Sequence, residues 1–229
     1  MWAIIDKRAP KEAIDNLKKH FEVFEFESKD ITYKEVSGHP DIFIYQDKDK
    51  LIIAPNSPKE LIIFLHKVKA DFSIGEKEVG FDLNNSTQYN CISSSNYLFH
   101  KKGFTDKSIL DKSYNKKLIE LPQAYTRCSL SMLNEISYIT SDKGIKNALL
   151  KNELQILHVE NKSILLPGFP YGFFGGTNGI FGNKFYLIGS LDFHPQGKEI
   201  QSFIENNGLE IIELYNGKLY DGGGLFFGN

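Results

Sequence analysis

The chain has 229 residues, of which 41% are hydrophobic, and a formal net charge of -2. This length is sufficient for a sizeable core, and no Pro/Gly/Ser-rich or charged linker divides the sequence. We therefore predict a single domain over residues 1–229. Positive and negative side chains are interspersed along the whole chain, so no basic face indicates a nucleic-acid partner.

The cysteine content and the apolar runs indicate in which cellular compartment the protein is expected. Two cysteines, Cys91 and Cys128, in a chain of this size are typical of a reducing compartment with free thiols. The apolar run at residues 2–5 is too short for a secretory signal, and no apolar run approaches the length of a membrane span. We expect a soluble cytoplasmic protein without a membrane partner; the sequence indicates no oligomeric state.

Five stretches of the chain repeat one pattern, which is a short apolar strand, a break marked by Pro or Asp, and a helix. The strands of the five copies begin at Trp2, Leu51, Tyr97, Tyr138 and Phe185. In the fifth copy, a Gly-rich opening precedes the strand, and Ile200, Phe203 and Ile204 have helical spacing. A second strand follows that helix at residues 209–214, and the first copy has a comparable one at residues 21–26.

The two ends of the chain are complementary. The first copy lacks the opening strand of the others, while residues 221–229 supply a strand with nothing after it. We therefore predict that the tail pairs with the head and that the five units close into a ring, which removes exposed strand edges. Chance similarity among short strand-helix units is the alternative, and the complementary termini favour the ring.

The glycine-rich run at residues 172–182 does not fit a nucleotide-binding loop. The dinucleotide fingerprint requires a strand before it and a helix directly after it, so that the helix N-terminus meets the phosphate. Here a strand follows the glycines. Glycines that lead into a strand indicate a close backbone approach, which we expect around the ring axis.

The strands that open each unit should line the centre of such a ring, so their polar members are the candidate functional residues. These are His39, Asp41, Asn90, Cys91, Arg127, Cys128, Thr177, Asn178 and Asp221. The other histidines, His66, His100 and His158 among them, have no i, i+4 ligand spacing. The sequence therefore predicts neither a metal site nor a cofactor.

Three short motifs resemble those of a known superfamily. His39-Pro-Asp-Ile-Phe resembles the His-x-Asp-x-x-Phe segment of deiminases, and Arg127-Cys-Ser-Leu-Ser-Met is similar to the Arg-Cys-Met-Ser-Met around their nucleophile. Tyr220-Asp-Gly-Gly is similar to their Glu-Gly-Gly. The chain thus resembles the pentein superfamily of guanidino-group-modifying enzymes, which includes arginine and agmatine deiminases, dimethylarginine hydrolases and amidinotransferases, and as a whole it resembles a bacterial branch of it.

The resemblance implies an α/β five-bladed, pseudo-fivefold propeller whose last blade is closed by the N- and C-terminal segments. It also implies that Cys128 is a nucleophile, that His39 is the acid/base, and that Asp41 and Asp221 are carboxylates that hold an amidino or guanidino small molecule. The cyclic order of acid, His, spacer unit and Cys matches that of the enzymes with the chain ends moved. Further candidates for substrate binding are Arg127, Asn90 and Asn178.

The chemistry of an amidino carbon explains this combination of side chains. The carbon is cationic and resonance-stabilised, so its attack requires a thiolate, and a neighbouring cation would lower the pKa of the thiol. His39 would protonate the leaving amine and then deprotonate water. Two carboxylates would bind the planar fork of N–H donors bidentately.

A second hypothesis is a binding module of the same fold without turnover, as in translation factor six. Two departures from the enzyme pattern support it, because Asp221 replaces the expected Glu and Phe227 stands where the last unit of the unpermuted frame should hold Cys. Buried cysteines are also commonly small hydrophobic residues. On that reading His39 and Asp221 are turn residues, and the two cysteines alkylate equally slowly.

Overall fold

The computed structural model describes residues 1–82 and 84–229 and is an α/β structure with five three-stranded sheets. In each sheet the central strand is antiparallel to one neighbour and parallel to the other. A helix separates the two parallel strands in sequence. The five repeated units of the sequence therefore correspond to five sheets of one design.

The helices and strands have the following bounds in chain order. The first two units comprise β1 (Trp2–Asp6), α1 (Lys11–Lys18), β2 (Glu22–Phe26), β3 (Ile44–Asp47), β4 (Lys50–Ile53), α2 (Lys59–Lys67) and β5 (Asp71–Ile74). The third unit comprises β6 (Ile92–Ser93), β7 (Tyr97–His100), α3 (Lys107–Lys112) and β8 (Lys117–Glu120).

The fourth unit comprises α4 (Thr126–Ser129), β9 (Leu130–Met132), β10 (Ser137–Thr140), α5 (Lys143–Leu150) and β11 (Gln155–His158). The fifth unit comprises β12 (Asn178–Phe181), β13 (Lys184–Leu187), α6 (Gly197–Asn206) and β14 (Glu210–Glu213), and the last strand is β15 (Phe226–Gly228). Single 3-10 turns lie at Lys34–Val36, Pro40–Ile42, Phe174–Thr177 and Leu191–Phe193.

In four of the five units, the Pro or Asp that marks the break in the sequence is the N-cap of the helix, whereas α6 has Gln196 at that position. Pro10 and Pro58 occupy the N-cap positions of α1 and α2. Asp106 accepts a hydrogen bond from the Ser108 N–H at the start of α3, and Asp142 accepts one from the Ile145 N–H at the start of α5. The side-chain oxygens of Asp106 and Asp142 each satisfy an N–H that the helix cannot pair internally.

The two ends of the chain pair in one sheet, as the sequence predicts. β15 is antiparallel to β1, with Ala3 opposite Phe227 and Ile4 opposite Phe226, while β2 pairs with β1 in parallel on the other side. Phe227 is buried and packs against the rings of Phe21, Phe181 and Tyr186. Its place in this aromatic cluster explains a large apolar residue at that position.

Hydrogen bonds join each of the five units to the next. Proceeding from the sheet that contains both termini, they are Gln46 Nε2 to Phe227 O, Tyr45 Oη to Ser93 Oγ, Thr126 N to Asn90 O, Asn178 Nδ2 to Ser131 Oγ, and Leu225 N to Asn178 O. The last of these bonds returns to the segment that leads into β15. The order of the units along the chain is therefore also their order of contact.

The apolar core lies between the sheets and the helices. The buried residues of α1 are Ala13, Ile14 and Leu17, and those of α6 include Ile200 and Ile204. These are the positions at which the helical pattern of the sequence repeats. Among the described residues, no helix is both long and apolar enough to cross a membrane.

Candidate active site

His39 and Asp41 lie on either side of Pro40, at the 3-10 turn that leads into β3. The His39 side chain is buried, and so is that of Asp41. Neither ring nitrogen of His39 has a hydrogen-bond partner among the described residues, and the same holds for Asp41 Oδ1. Buried polar atoms are nearly always hydrogen-bonded, so three unpartnered atoms in so short a segment indicate a site prepared for a ligand.

Cys128 meets this turn from the fourth unit. Its Sγ donates a hydrogen bond to Asp41 Oδ2 at 2.7 Å and accepts one from Asn90 Nδ2 at 3.3 Å. One ligand atom each from His39, Asp41 and Cys128 lie within 4.8 Å of one another. Three side chains that are distant in the sequence therefore converge in space.

The local conformation of Cys128 differs from the sequence-based expectation. The sequence places Arg127 and Cys128 at the start of a hairpin strand, whereas the structure has them in the single turn α4, and the hairpin begins only at Leu130. Asn90 holds this turn, because its Oδ1 accepts from the backbone N–H of Arg127 at 2.7 Å and of Cys128 at 3.4 Å. Asn90 thus contacts both the backbone and the sulfur of the cysteine.

Asp221 completes the cluster from the C-terminal segment. Its carboxylate accepts hydrogen bonds from the backbone N–H groups of Phe173 at 2.8 Å and Gly223 at 3.2 Å. The space around it depends on glycine: a Cβ at Gly176 would overlap the Asp221 carboxylate. Gly223 has a φ of +70° and lies against His39 and Asp41, so a side chain there would be both strained and obstructed.

Burial dominates the electrostatics of the cluster. It raises the pKa of Asp41 to about 6 and that of Asp221 to about 6, because an apolar environment disfavours the charged form. Burial also lowers the pKa of His39, with the nearby carboxylate of Asp221 opposing that shift. The site therefore contains a neutral imidazole and two carboxyl groups that are less acidic than usual.

The thiol of Cys128 contradicts one expectation from the sequence. A neighbouring cation was expected to lower its pKa, but burial raises that pKa well above its ordinary value, and the charges of Asp41 and Asp221 raise it further. Arg127 is adjacent in sequence, yet its guanidinium donates to the carbonyls of Gly175 at 2.7 Å and Asn178 at 3.0 Å. Near neutral pH the sulfur is therefore a protonated thiol.

The side chains of Arg127 and Asn178 make their hydrogen bonds outside the cluster, although the buried charge of Arg127 acts on Asp41, Cys128 and Asp221. Together with Cys91, Arg127 and Asn178 line a second cavity of about 200 Å³, whose lining does not include His39, Cys128 or Asp221. The Asn178 side chain donates to Ser131 Oγ and to the Phe174 carbonyl. Of the seven residues to which the sequence analysis gives a catalytic or substrate-binding role, the structure brings together His39, Asp41, Asn90, Cys128 and Asp221, and the side chains of Arg127 and Asn178 bind backbone carbonyls and Ser131 instead.

A cavity of about 270 Å³ opens over His39, Cys128 and Asp221. The remainder of its lining consists of residues that the sequence analysis did not identify, namely Tyr33, Val36, Tyr125, Leu166, Phe169, Pro170, Tyr171 and Phe173. They belong to connecting segments with no periodic pattern. The only available signal was the density of aromatic residues at 169–174, which a sequence alone does not connect with the cysteine.

The cluster also has the composition of a metal site. The imidazole, carboxylate and thiol of His39, Asp41 and Cys128 are ligand types that Zn²⁺ accepts. A sulfur ligand must be deprotonated, so binding of a metal ion here would release the thiol proton. The sequence predicts no metal site, and this trio is the place in the described part of the chain where one could form.

Known structures of similar fold are enzymes that act on guanidino groups. Agmatine deiminase from C. jejuni superposes with a TM-score of 0.58 at 10% identity, over 92% of this chain and 74% of that one. Dimethylarginine dimethylaminohydrolase from Pseudomonas aeruginosa, in complex with citrulline, gives 0.53 at 7% identity over 92% and 90%. An amidinotransferase of the saxitoxin pathway from Microseira wollei gives 0.51 at 10% identity over 92% and 87%.

All three proteins are pentein-superfamily members, which confirms the resemblance found in the motifs. At these identities the likeness shows the fold that the chain shares with them. No curated protein matches the chain in sequence. A family model does match over residues 4–226, so the chain belongs to the family described as "Family of unknown function (DUF6873)".

Proposed function

We propose that this protein is a cysteine-dependent enzyme that acts on an amidino or guanidino small molecule, with Cys128 as nucleophile and His39 as acid/base. Asp41 and Asp221 bind the cationic group of the substrate. The observation that carries the proposal is the convergence of Cys128, His39 and Asp41 within 4.8 Å, with Cys128, His39 and Asp221 on the wall of one cavity. Reactive partners need hydrogen-bond distance or one intervening water, and this cluster meets that requirement.

The proposal includes a single domain over residues 1–229 that forms a five-bladed propeller around the site. Its support is the closed set of hydrogen bonds that joins each of the five units to the next and the last to the first. The pairing of β1 with β15 supplies the blade that contains both termini. A ring of this kind explains why residues from four different units share one centre.

The charges of the site favour a cationic ligand. Asp221 lines the cavity, Asp41 is buried against the Cys128 sulfur, and Asp41 Oδ1 has no hydrogen-bond partner among the described residues. A guanidinium would donate to that oxygen while Asp41 Oδ2 remains bonded to the thiol. Its positive charge, close to the sulfur, would then lower the pKa of the thiol.

The chemical step follows from these positions. The neutral imidazole of His39 accepts the thiol proton, and the sulfur forms a bond to the amidino carbon as the C=N electron pair moves to nitrogen. The imidazolium returns the proton to the leaving amine while the C–N bond breaks, which leaves an S-amidino intermediate. Water, deprotonated by His39, then attacks the same carbon, and the C–S bond breaks. The recovered proton returns to the sulfur.

The acceptor in the second half of this reaction decides between a hydrolase and a transferase. Both kinds occur among the structural neighbours, which include a deiminase and an amidinotransferase. A cysteine-to-serine variant of the C. jejuni agmatine deiminase holds its substrate. By analogy, Cys128→Ser should bind an amidino ligand without turnover, so the intact ligand can be identified.

The decisive experiment compares two alkylating agents of the same size, cationic 2-chloroacetamidine and neutral chloroacetamide, followed by peptide mass spectrometry. We expect 2-chloroacetamidine to label Cys128 at least about tenfold faster, because only the cation is drawn to the two carboxylates and activates the thiol. Cys91 serves as the internal control, since it is also buried but has no such cluster around it. Equal, slow labelling of both cysteines by both reagents would refute the proposal that the protein is a cysteine-dependent enzyme.

That outcome would support the second candidate, a binding module without turnover. The observation in its favour is the buried thiol of Cys128, whose pKa is raised and which is hydrogen-bonded to Asp41. Phe227 does not support the binding module, although the sequence pattern suggested it, because its ring packs in an aromatic cluster. A module of this kind would still bind amidino compounds and would release them unchanged.

A further inference from the structure

The cavity over Cys128 is polar at its base and apolar elsewhere. Its polar base is formed by His39, Cys128 and Asp221, and the other eight lining residues are apolar or aromatic. Three of the eight are tyrosines, Tyr33, Tyr125 and Tyr171, and the others are Val36, Leu166, Phe169, Pro170 and Phe173. A ligand whose cationic head lies at the base therefore extends its tail among apolar groups.

The hydroxyl groups of Tyr33 and Tyr125 are hydrogen-bonded within the protein. They hydrogen-bond to each other at 2.7 Å, and Tyr125 Oη also bonds to Ser86 Oγ at 2.8 Å. Burial raises the pKa of Tyr125, so its hydroxyl stays neutral. The ring of Tyr33 contacts that of Phe169 edge to face, with centroids 6.5 Å apart. The wall is thus largely apolar and aromatic, with the hydroxyls of Tyr33 and Tyr125 paired.

No side chain is placed to receive a carboxylate from the substrate. The chain has two arginines: Arg8 is engaged by Asp6 and by the carbonyls of Lys34 and Glu35, and Arg127 is engaged by backbone carbonyls. Among the described residues that line the cavity there is neither Lys nor Arg. An α-carboxylate entering beside two aspartates would be a buried, uncompensated charge, which is costly.

We propose, on the basis of the function proposed above, that the substrate is a guanidine or amidine with an uncharged apolar or aromatic tail and without an amino-acid head group. A tail of one ring or a short alkyl chain suits a cavity of about 270 Å³, near the lower end of small-molecule sites, which span about 300–1,000 Å³. Aromatic tails gain further from edge-to-face contacts with the ring of Phe169. Free guanidino amino acids are excluded by charge.

The test is calorimetric binding to Cys128→Ser of three guanidines, benzylguanidine, agmatine and arginine, which differ in their tails. We expect benzylguanidine to bind at least about tenfold more tightly than arginine, with agmatine between them because it lacks the carboxylate. Arginine binding as tightly as benzylguanidine would overturn the inference. Binding is independent of turnover, so this result stands whether or not the alkylation experiment supports the enzyme.

A variant that adds the missing cation sharpens the test. Phe169→Arg places a guanidinium at the cavity rim, on a side chain that is 46% exposed and so tolerates the change. We expect this variant to raise the ratio of the arginine affinity to the benzylguanidine affinity at least about tenfold. Phe193→Arg is the matched control, since Phe193 is 44% exposed and outside the cavity lining. Equal effects of the two variants would contradict the proposed orientation of the tail.

Discussion

The two cysteines of this chain have the same burial and opposite surroundings. Burial raises the pKa of both thiols well above the ordinary value. Cys91 belongs to the largest apolar cluster, together with the rings of Tyr45 and Tyr89. Cys128 instead contacts a carboxylate and an amide, and its cavity contains an imidazole with two unpartnered nitrogens. Reactivity therefore depends on the convergence of polar groups at the sulfur, and a buried thiol alone does not indicate it.

The two cysteines should differ most in how far their replacement by alanine lowers turnover. Cys128→Ala should lower kcat/KM by at least about a thousandfold, because the covalent route is lost. Cys91→Ala should change it by less than about threefold. Steady-state kinetics with an arylalkylguanidine measures both values. Comparable losses in the two variants would show that Cys128 contributes to activity only by stabilising the fold.

The next effect concerns the carboxylate that distinguishes the surroundings of Cys128. Asp41→Asn keeps an oxygen that can accept the thiol hydrogen bond but removes a negative charge from the substrate site. We expect kcat/KM to fall by about a hundredfold, with most of the loss in KM, because attraction of the cation is lost. Circular dichroism provides the control for folding. Unchanged KM in a folded variant would exclude Asp41 from substrate binding.

A smaller effect is expected from pH, and its sign follows from the two raised carboxyl pKa values. Asp41 and Asp221 lose their charge as the pH falls through about 6, so kcat/KM should rise from about pH 5 to about pH 7 and then level off. The change should be on the order of tenfold per pH unit at the acidic end. Labelling of Cys91 by neutral chloroacetamide should not follow this profile. A profile that is flat between these limits would contradict the assignment.

The smallest effect is on stability. A carboxyl whose pKa is raised by folding favours the folded state most below its unfolded pKa, near 3.8, and this contribution is lost as the pH rises through about 6. Asn does not titrate. When the pH is raised from about 4 to about 7, Asp41→Asn should therefore gain stability relative to the natural chain. We expect a gain on the order of 1 kcal/mol, since a weaker thiol hydrogen bond offsets part of it. Urea unfolding at the two pH values measures this difference.

Part of the candidate site was predictable from local motifs. His39-Pro-Asp and Arg127-Cys identify the residues that meet at the centre, and the glycines after Asp221 mark where backbone approaches His39 and Asp41. The direction of the Arg127 side chain was not predictable, because the carbonyls that bind it come from residues 175 and 178. The same holds for the protonation of Cys128, since burial by distant segments sets it.

Local sequence patterns were enough to predict the repeated strand-helix units, the Pro and Asp caps at most of their helices, and the complementary ends that pair in β1 and β15. These features depend on residues that are close in the chain or on periodicity, which backbone geometry imposes locally. The burial of the Cys128 thiol next to Asp41, and the aromatic residues of connecting segments that enclose its cavity, became visible in the folded chain. Desolvation and cavity shape arise from contacts between segments that are distant in sequence and follow no local pattern.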